Sequence, residues 1–541
     1  MKKTLLFFAA MASTCAMFAQ WTNDTLNNNF IAEGLGTGTV QSGGVLTVTD
    51  TATNDTYIQW CSGVTGGNGF GPSVQRLTAD GTPKWGNEGI RFNQFNFMSY
   101  SPGNAIAIAS DHDLLSCFSI IADGNDSVTV AMRLHPDGTY AWGENGITLF
   151  NGLGGLRAEI IAGNDGGAWA MGSGWRTTYL QYINADGTLN PLITLESDID
   201  SIRYIYGKLV LRSDNSVFLT YEHIWVDPNG YSDYGTKEIH LRGYAVDGTQ
   251  TLQDVTLMKK ADCVTPYCHH VEPDGLGGAY VYLAFGGDST GFFNTHVFHY
   301  DANGTSTIDG PYGVVVHPGG QQRLFKAPYA AVDPVSHDLL ITYHQANGSQ
   351  EVAKVCINRI SSTGELVWGD QVVVFDDSLG NHVVGLTYIS PFEDGSGFSV
   401  IYFVEDGLSA DLRFTIEAVG YDMDTNVLWR KQLCSNTTTK KHAPENITGF
   451  HNGQNIVVWT IGDEGDVYGQ NLYVDGTTGV AVGIREVPVI DNNIVSISRI
   501  FDISGRLLAG MQVKDLRTGV YILQGTNQYG QKVSKKIVVV R

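Results

Sequence analysis

The phrase T-A-D-G-T-P-K-W-G-N-E-G-I-R-F at 78–92 returns at 135–150 as H-P-D-G-T-Y-A-W-G-E-N-G-I-T-L-F. A chain that writes one turn twice must accommodate copies of one supersecondary unit. Followed in phase, the central pair occurs eight times: Asp80-Gly81, Asp137-Gly138, Asp186-Gly187, Asp247-Gly248, Asn303-Gly304, Thr363-Gly364, Asp424-Thr425 and Asp475-Gly476. Successive gaps are 57, 49, 61, 56, 60, 61 and 51 residues. A period of this size marks an array in which each copy buries its faces only against its neighbours.

The residues before each pair, such as V-Q-R-L before Thr78 and A-M-R-L before His135, alternate in polarity with the period of two expected of a strand. Asp-Gly and Asn-Gly adopt the positive φ values of a tight hairpin turn. Several turns are followed by an indole, at Trp85, Trp142, Trp368 and Trp429, which the pattern places on the second strand of the hairpin. Upstream of each hairpin lie two more short apolar runs, for example A-I-A-I-A-S-D then L-L-S-C-F-S-I-I. Sixty-five glycines and no stretch of helical apolar spacing complete the picture of a turn-rich all-β protein. Four strands per unit, copied eight times, predict a β-propeller of eight blades, or seven if the first or last unit completes another blade. Asp80, Gly81, Asp137 and Gly138 are then structural turns, and Trp85, Trp142, Trp368 and Trp429 dock between blades. These units resemble the propeller repeats of large exported proteins of Bacteroidetes-type bacteria. More loosely they resemble quinoprotein-type repeats, to which Thr363-Gly364-Glu365-Leu366-Val367-Trp368 comes nearest.

Both ends carry addresses. M-K-K-T-L-L-F-F-A-A-M-A-S-T-C-A-M-F-A-Q reads as a secretory signal peptide over 1–19. No later segment reaches the ~18 uninterrupted apolar residues of a membrane helix. The propeller is expected over 20–485, a linker over 486–493, and a separate domain over 494–541. That last segment holds eight Lys or Arg against two Asp, a net of +6, whereas 20–493 carries −30. So acidic a body repels phosphates, which argues against nucleic acid and anionic lipid as partners.

F-D-I-S-G-R at 501–506, L-R-T-G-V-Y-I-L at 516–523 and K-K-I-V-V at 535–539 read physically as a small antiparallel sandwich. The segment resembles the type A C-terminal sorting domain of the type IX secretion system. The positions that match are Asp502, Gly505, Arg506, Gly519, Tyr521, Lys535 and Lys536. The Asn-Pro element that usually opens that domain is replaced here by Val487-Pro488-Val489. The resemblance implies the type IX secretion machinery as a partner and display on, or release from, the cell surface.

Motifs of chemistry are scarce. The turn is not a sialidase-type Asp box, because Gly81 follows Asp80 directly, and none of the eight turns has the oxygen-rich loop of a calcium site. Cys263-V-T-P-Y-Cys268-His269-His270 is the one soft-ligand cluster along the chain; without a second Cys/His pair it reads as a disulfide or packed residues. Cys61 and Cys117 sit within apolar strand-like runs and read as small buried residues. HExxH, a P-loop and a nucleophile elbow are absent. No cofactor, metal or catalytic residue is assigned. The expectation is a binding module for an extracellular glycan, protein or envelope component, with a glycoside hydrolase or lyase using carboxylates at the channel mouth as the alternative.

Overall fold

The computed structural model describes residues 21–34, 45–63, 70–92, 104–121, 126–153, 157–174, 177–226, 232–262, 269–286, 293–318, 322, 328–346, 352–369, 371–378, 380–407, 411–462, 465–479, 496–502, 506–508, 516–517, 519–526 and 532–539. The signal peptide, the linker, Cys263, Cys268 and Gly505 lie outside them.

The repeated turn begins the fold. Gly81 N donates to Thr78 O at 2.8 Å and Thr78 N to Thr82 O at 3.1 Å, so Ala79 and Asp80 form the corner and Gly81, at φ +86°, closes it. This is a three-residue loop in which only the closing residue is left-handed. The same φ sign recurs at Gly138, Gly187, Gly248, Gly304, Gly364, Thr425 and Gly476. The expectation of positive φ across the pair is therefore corrected: Asp80 has ordinary backbone and contributes its carboxylate. Its Oδ1 accepts the N–H of Thr82 at 3.2 Å, as Asp137 accepts that of Thr139 at 3.0 Å.

Each of the first seven turns joins the third and fourth strands of a four-stranded antiparallel sheet, the eighth follows the third strand of the last sheet, and the eight sheets form a ring. In chain order the first strands are Leu46–Asp50, Asn104–Ile108, Arg157–Ala162, Ile202–Leu211, His270–Pro273, Tyr329–Val332, His382–Pro391 and Lys441–His442. From blade 1 to blade 7 successive first strands touch, which places them innermost. Thr47 N donates to Asn446 Oδ1 at 2.9 Å and so brings the eighth blade against the first. The eighth blade lacks a fourth strand of its own. Asn29–Ala32, from the start of the chain, pairs antiparallel with Asp466–Tyr473 and completes it, which settles the count at eight rather than seven.

Every interface has its own apolar core. Ile58, Trp60 and Leu77 meet Ile31, Val458 and Val467 where the ring closes, while Trp169, Leu180 and Tyr182 of blade 3 meet Leu219 and Tyr221 of blade 4. Cys61, Cys117, Cys356 and Cys434 are buried free thiols.

The indoles do dock between blades, but their placement is corrected. After one bridge to the third strand (Leu77 with Pro83, Leu134 with Tyr140, Ile360 with Leu366) the chain leaves the sheet, so Trp85, Trp142 and Trp368 precede the outer strand. Only Trp429 lies on it, in Val427–Cys434. The departure carries each ring across to the next blade. Trp142 Nε1 donates to Ala185 O at 3.2 Å, Trp368 to Met423 O at 2.9 Å and Trp429 to Val474 O at 2.8 Å. Each acceptor is the carbonyl just before the next blade's turn pair. Trp21 closes the circle on Ala79 O at 2.9 Å. At the remaining four junctions other side chains reach the equivalent carbonyl: Arg76 to Pro136 O (2.6 Å), Asn190 to Val246 O (2.7 Å), Arg212 to Ala302 O (3.1 Å) and Thr307 to Ser362 O. Trp85 still packs on Gly138, but Arg76 has taken its carbonyl.

Residues 481–541 form a second compact unit, a three-stranded antiparallel sheet of Ser496–Asp502, Gly519–Thr526 and Lys532–Val539, with Ile500, Leu516 and Leu523 as its core. Among the described residues no helix is long and apolar enough to cross a membrane.

Candidate functional site

The structure spreads the sequence-predicted turn residues around the ring, one set per blade, and brings none of them together into a site. Asp80, Gly81, Asp137 and Gly138 shape corners, and Trp85, Trp142, Trp368 and Trp429 cover the following corner. In the second unit, Asp502 and Arg506 exchange backbone and carboxylate hydrogen bonds at 3.0 Å. Tyr521 pairs in register with Asp502, and its hydroxyl donates to Arg517 O at 3.0 Å. Gly519 opens the middle strand, while Lys535 and Lys536 stand in register with Leu523 and Ile522.

Chemistry gathers instead on the inner strands of blades 3, 4 and 5. Lys208 Nζ lies 3.7 Å from Glu159 Oε1, and Tyr282 OH donates to Glu272 at 3.3 Å. Burial pushes the Glu272 carboxyl up to about 7, against the opposing pull of Tyr282 and the Lys208 ammonium. Burial also raises Glu159, with Lys208 again opposing. His270 is driven down to about 3 by burial and then by Lys208, so its ring is neutral at physiological pH. That ring stacks on Tyr282 with centroids 5.3 Å apart, and Tyr329 continues the aromatic row at 6.1 Å. Two carboxyls whose proton affinity burial raises, one lysine and a neutral imidazole offer both hydrogen-bond donors and acceptors. Perturbed groups of this kind are a signature of binding and catalytic clefts. Beside them, a cavity of about 500 Å³ opens among the inner strands of blades 1–3, walled by Val48, Ile106, Ile108 and Ile160 with Asp50 and His112 at its edge.

A second group sits on the outer half of blade 4, whose second, third and fourth strands are Val217–Val226, Ser232–Tyr244 and Gln250–Asp262. His223 stands opposite Glu238 and Tyr221 opposite His240, so all four share one face. His223 Nδ1 is 3.4 Å from both His240 Nε2 and Glu238 Oε2, and those two are 3.0 Å apart. Among the described residues this is the only set of three His, Cys, Asp or Glu side chains close enough to share a metal ion. Of the soft-ligand cluster singled out in the sequence, only the two histidines are described. His269 is buried against Glu222 at 3.2 Å, His270 belongs to the inner-strand group, and both cysteines lie outside the described residues.

Neither group is legible along the chain. Glu159, Lys208 and Glu272 are dozens of residues apart, and the only signal for His223, Glu238 and His240 is their alternation with apolar neighbours across a hairpin.

No family model matches the chain, and no curated protein does. Solved structures that resemble it include propeller enzymes such as a lyase and peptidases. The β-propeller domain of the trilobed protease from Pyrococcus furiosus is 9% identical, with a TM-score of 0.38, over 73% of this chain and 96% of that one. A family PL25 ulvan lyase is 11% identical, with a TM-score of 0.43, over 71% and 94%. Prolyl oligopeptidase B from Galerina marginata is 11% identical, with a TM-score of 0.41, over 80% and 56%. At such identities the likeness concerns the fold alone.

Proposed function

We propose that this is an exported propeller of the type IX secretion pathway, displayed on or released from the cell surface, that binds a polar extracellular ligand, a glycan or a protein, at its channel. The observation that carries the binding role is the group of Glu159, Lys208, His270 and Glu272, delivered by three consecutive inner strands. A rigid frame that presents donors and acceptors together suits a hydroxyl-rich ligand, which needs both. The acidic body argues for a neutral or cationic partner.

Glycan arrays followed by calorimetry on the mature chain test this. Binding should fall at least tenfold in Lys208→Met and in Glu272→Gln while the melting curve stays cooperative. Unchanged affinity in both variants removes the channel from consideration. The secretion role rests on the motifs of 494–541: deleting that segment should trap the protein in the periplasm, and surface arrival of the truncated chain refutes it.

A hydrolase or lyase is the second reading, favoured by Glu272 specifically. A carboxyl poised near 7 is suited to general acid work beside a second carboxyl. Release of reducing or unsaturated ends from a bound polysaccharide, lost in Glu272→Gln, distinguishes turnover from binding.

A further inference from the structure

Blade 4 overhangs its neighbour. Its third and fourth strands run 13 residues each, whereas the corresponding strands of blade 3, Thr178–Ile183 and Ile193–Leu195, run 6 and 3. Tyr221 is sealed against blade 3, but the face beyond it stays within reach of solvent, with side-chain exposures of 20% for Glu238, 13% for His223 and 9% for His240.

On this ledge three ligand atoms form a triangle with edges of 3.4, 3.4 and 3.0 Å. Ligands about 2.0–2.1 Å from a tetrahedral ion stand roughly 3.3 Å from one another, so the triangle has the dimensions of one face of such a site. The supporting contacts match as well. His240 Nδ1 lies 3.1 Å from Asp254 Oδ2, and Asp254 Oδ1 accepts Tyr221 OH at 2.8 Å. A carboxylate behind the far nitrogen fixes the ring orientation and strengthens Nε2 as a ligand. The His223 ring is clamped by Trp225, stacked at 4.4 Å with planes 10° apart, and by the edge of Tyr204. Its Nε2 is buried and has no hydrogen-bond partner. The ring is therefore held by stacking, with Nδ1 turned toward Glu238 and His240.

We propose that His223, Glu238 and His240 bind a divalent first-row transition ion, Zn²⁺, leaving a coordination position open to water or a ligand. Two imidazoles and one carboxylate suit Zn²⁺ and its neighbours in the series rather than Ca²⁺ or Mg²⁺, which take oxygen ligands. With three protein ligands the site is of the open kind. The ion would also tie the second strand to the third where blade 3 gives no cover. Glu238 and Asp254 balance its charge, while Lys260 is held apart on the Trp225 ring at 4.1 Å and Arg242 on Asp254 at 3.4 Å.

The test uses the untagged full chain, stripped with EDTA and dialysed. Titration with ZnCl₂ should show one equivalent bound, a raised melting temperature, and, with CoCl₂, the visible absorption of a four-coordinate centre. Calcium should give none of these. His223→Ala/His240→Ala should lose the equivalent. Asp254→Asn should retain it with affinity reduced 10–100-fold. If the double variant does not fold, Glu238→Gln serves in its place and should weaken Zn²⁺ at least tenfold. A wild-type chain that takes up no zinc overturns the proposal. So does zinc bound with undiminished affinity by the variants, which would assign it elsewhere in the chain.

Discussion

The two faces of blade 4 are built from adjacent residues and meet opposite fates. Glu222 and His223 are neighbours, as are Lys237 and Glu238. Toward blade 5, Lys237 Nζ donates to Glu222 Oε2 at 2.8 Å, with side-chain exposures of 2% and 0%. His269, at the entry to blade 5, caps that pair: its N–H donates to Glu222 Oε1 at 2.8 Å, and its Nε2 meets Thr220 Oγ1 at 2.9 Å. Toward blade 3, His223, Glu238 and His240 bring three ligand atoms within 3.4 Å of one another on a partly exposed face. A strand gives alternate residues to two environments. Here one environment is sealed by a neighbour with matching polar groups, while the other is left open by a neighbour that is too short.

The largest effect should come from opening the sealed face. Lys237→Met strands the Glu222 carboxylate in the interior and should cost about 3–5 kcal/mol in urea unfolding. The same assay on His240→Asn, without metal, should cost about 2 kcal/mol, because the Asp254 and Glu238 carboxylates it leaves stay partly exposed. Equal costs would break the comparison.

Acid sharpens it. The Lys237 ammonium and the His269 contacts outweigh burial and hold Glu222 down at about 2, against an ordinary 4.5. Its contribution is complete above the unfolded value and is lost as pH falls from about 4.5 toward 2, up to ~3 kcal/mol. Burial lowers His269, so it too resists protonation in the fold and adds to the loss below its ordinary 6.5. His240 works the other way. Burial opposes its charged form, but Asp254 and Glu238 prevail and raise it, so its contribution is full below 6.5 and fades as pH rises through the raised value. Glu222→Gln should flatten the stability profile between pH 5 and 3 and leave the neutral limb alone. A profile unchanged on the acid side would show that the pair is not what acid attacks.

The smallest effect is expected from Asp254→Asn without metal, about 1 kcal/mol from weakened bonds to His240 and Tyr221 on a half-exposed group. Its influence should show far more in zinc affinity than in stability, whereas Lys237→Met should do the reverse.

Some of this was legible in the sequence for a physical reason. Asp-Gly-Thr at 80–82, 137–139, 186–188, 247–249 and 475–477 encodes a corner locally, through a left-handed residue and a carboxylate that caps it, so reading eight corners needs no tertiary knowledge. The bond that ties each corner to the preceding blade was legible only where an indole makes it. Arg76, Asn190, Arg212 and Thr307 do the same work with unrelated chemistry, because what matters is a donor at that place in space. Trp21 was missed because its partner lies 58 residues on, in another blade. The inner-strand group and the ledge were invisible for a related reason: each depends on register between strands and on how far one blade extends past the next.

The amino-acid sequence by itself determined the repeated four-stranded unit and the turn that punctuates it, since both arise from backbone preferences and alternation within a few residues. The folded ring decided everything that needs two distant segments at one place. Asn29–Ala32 completes the last blade, Glu159, Lys208 and Glu272 gather on neighbouring inner strands, and His223 meets Glu238 and His240 on an uncovered face. Distances of about 3 Å between such groups follow from packing and register, which alternation alone leaves free.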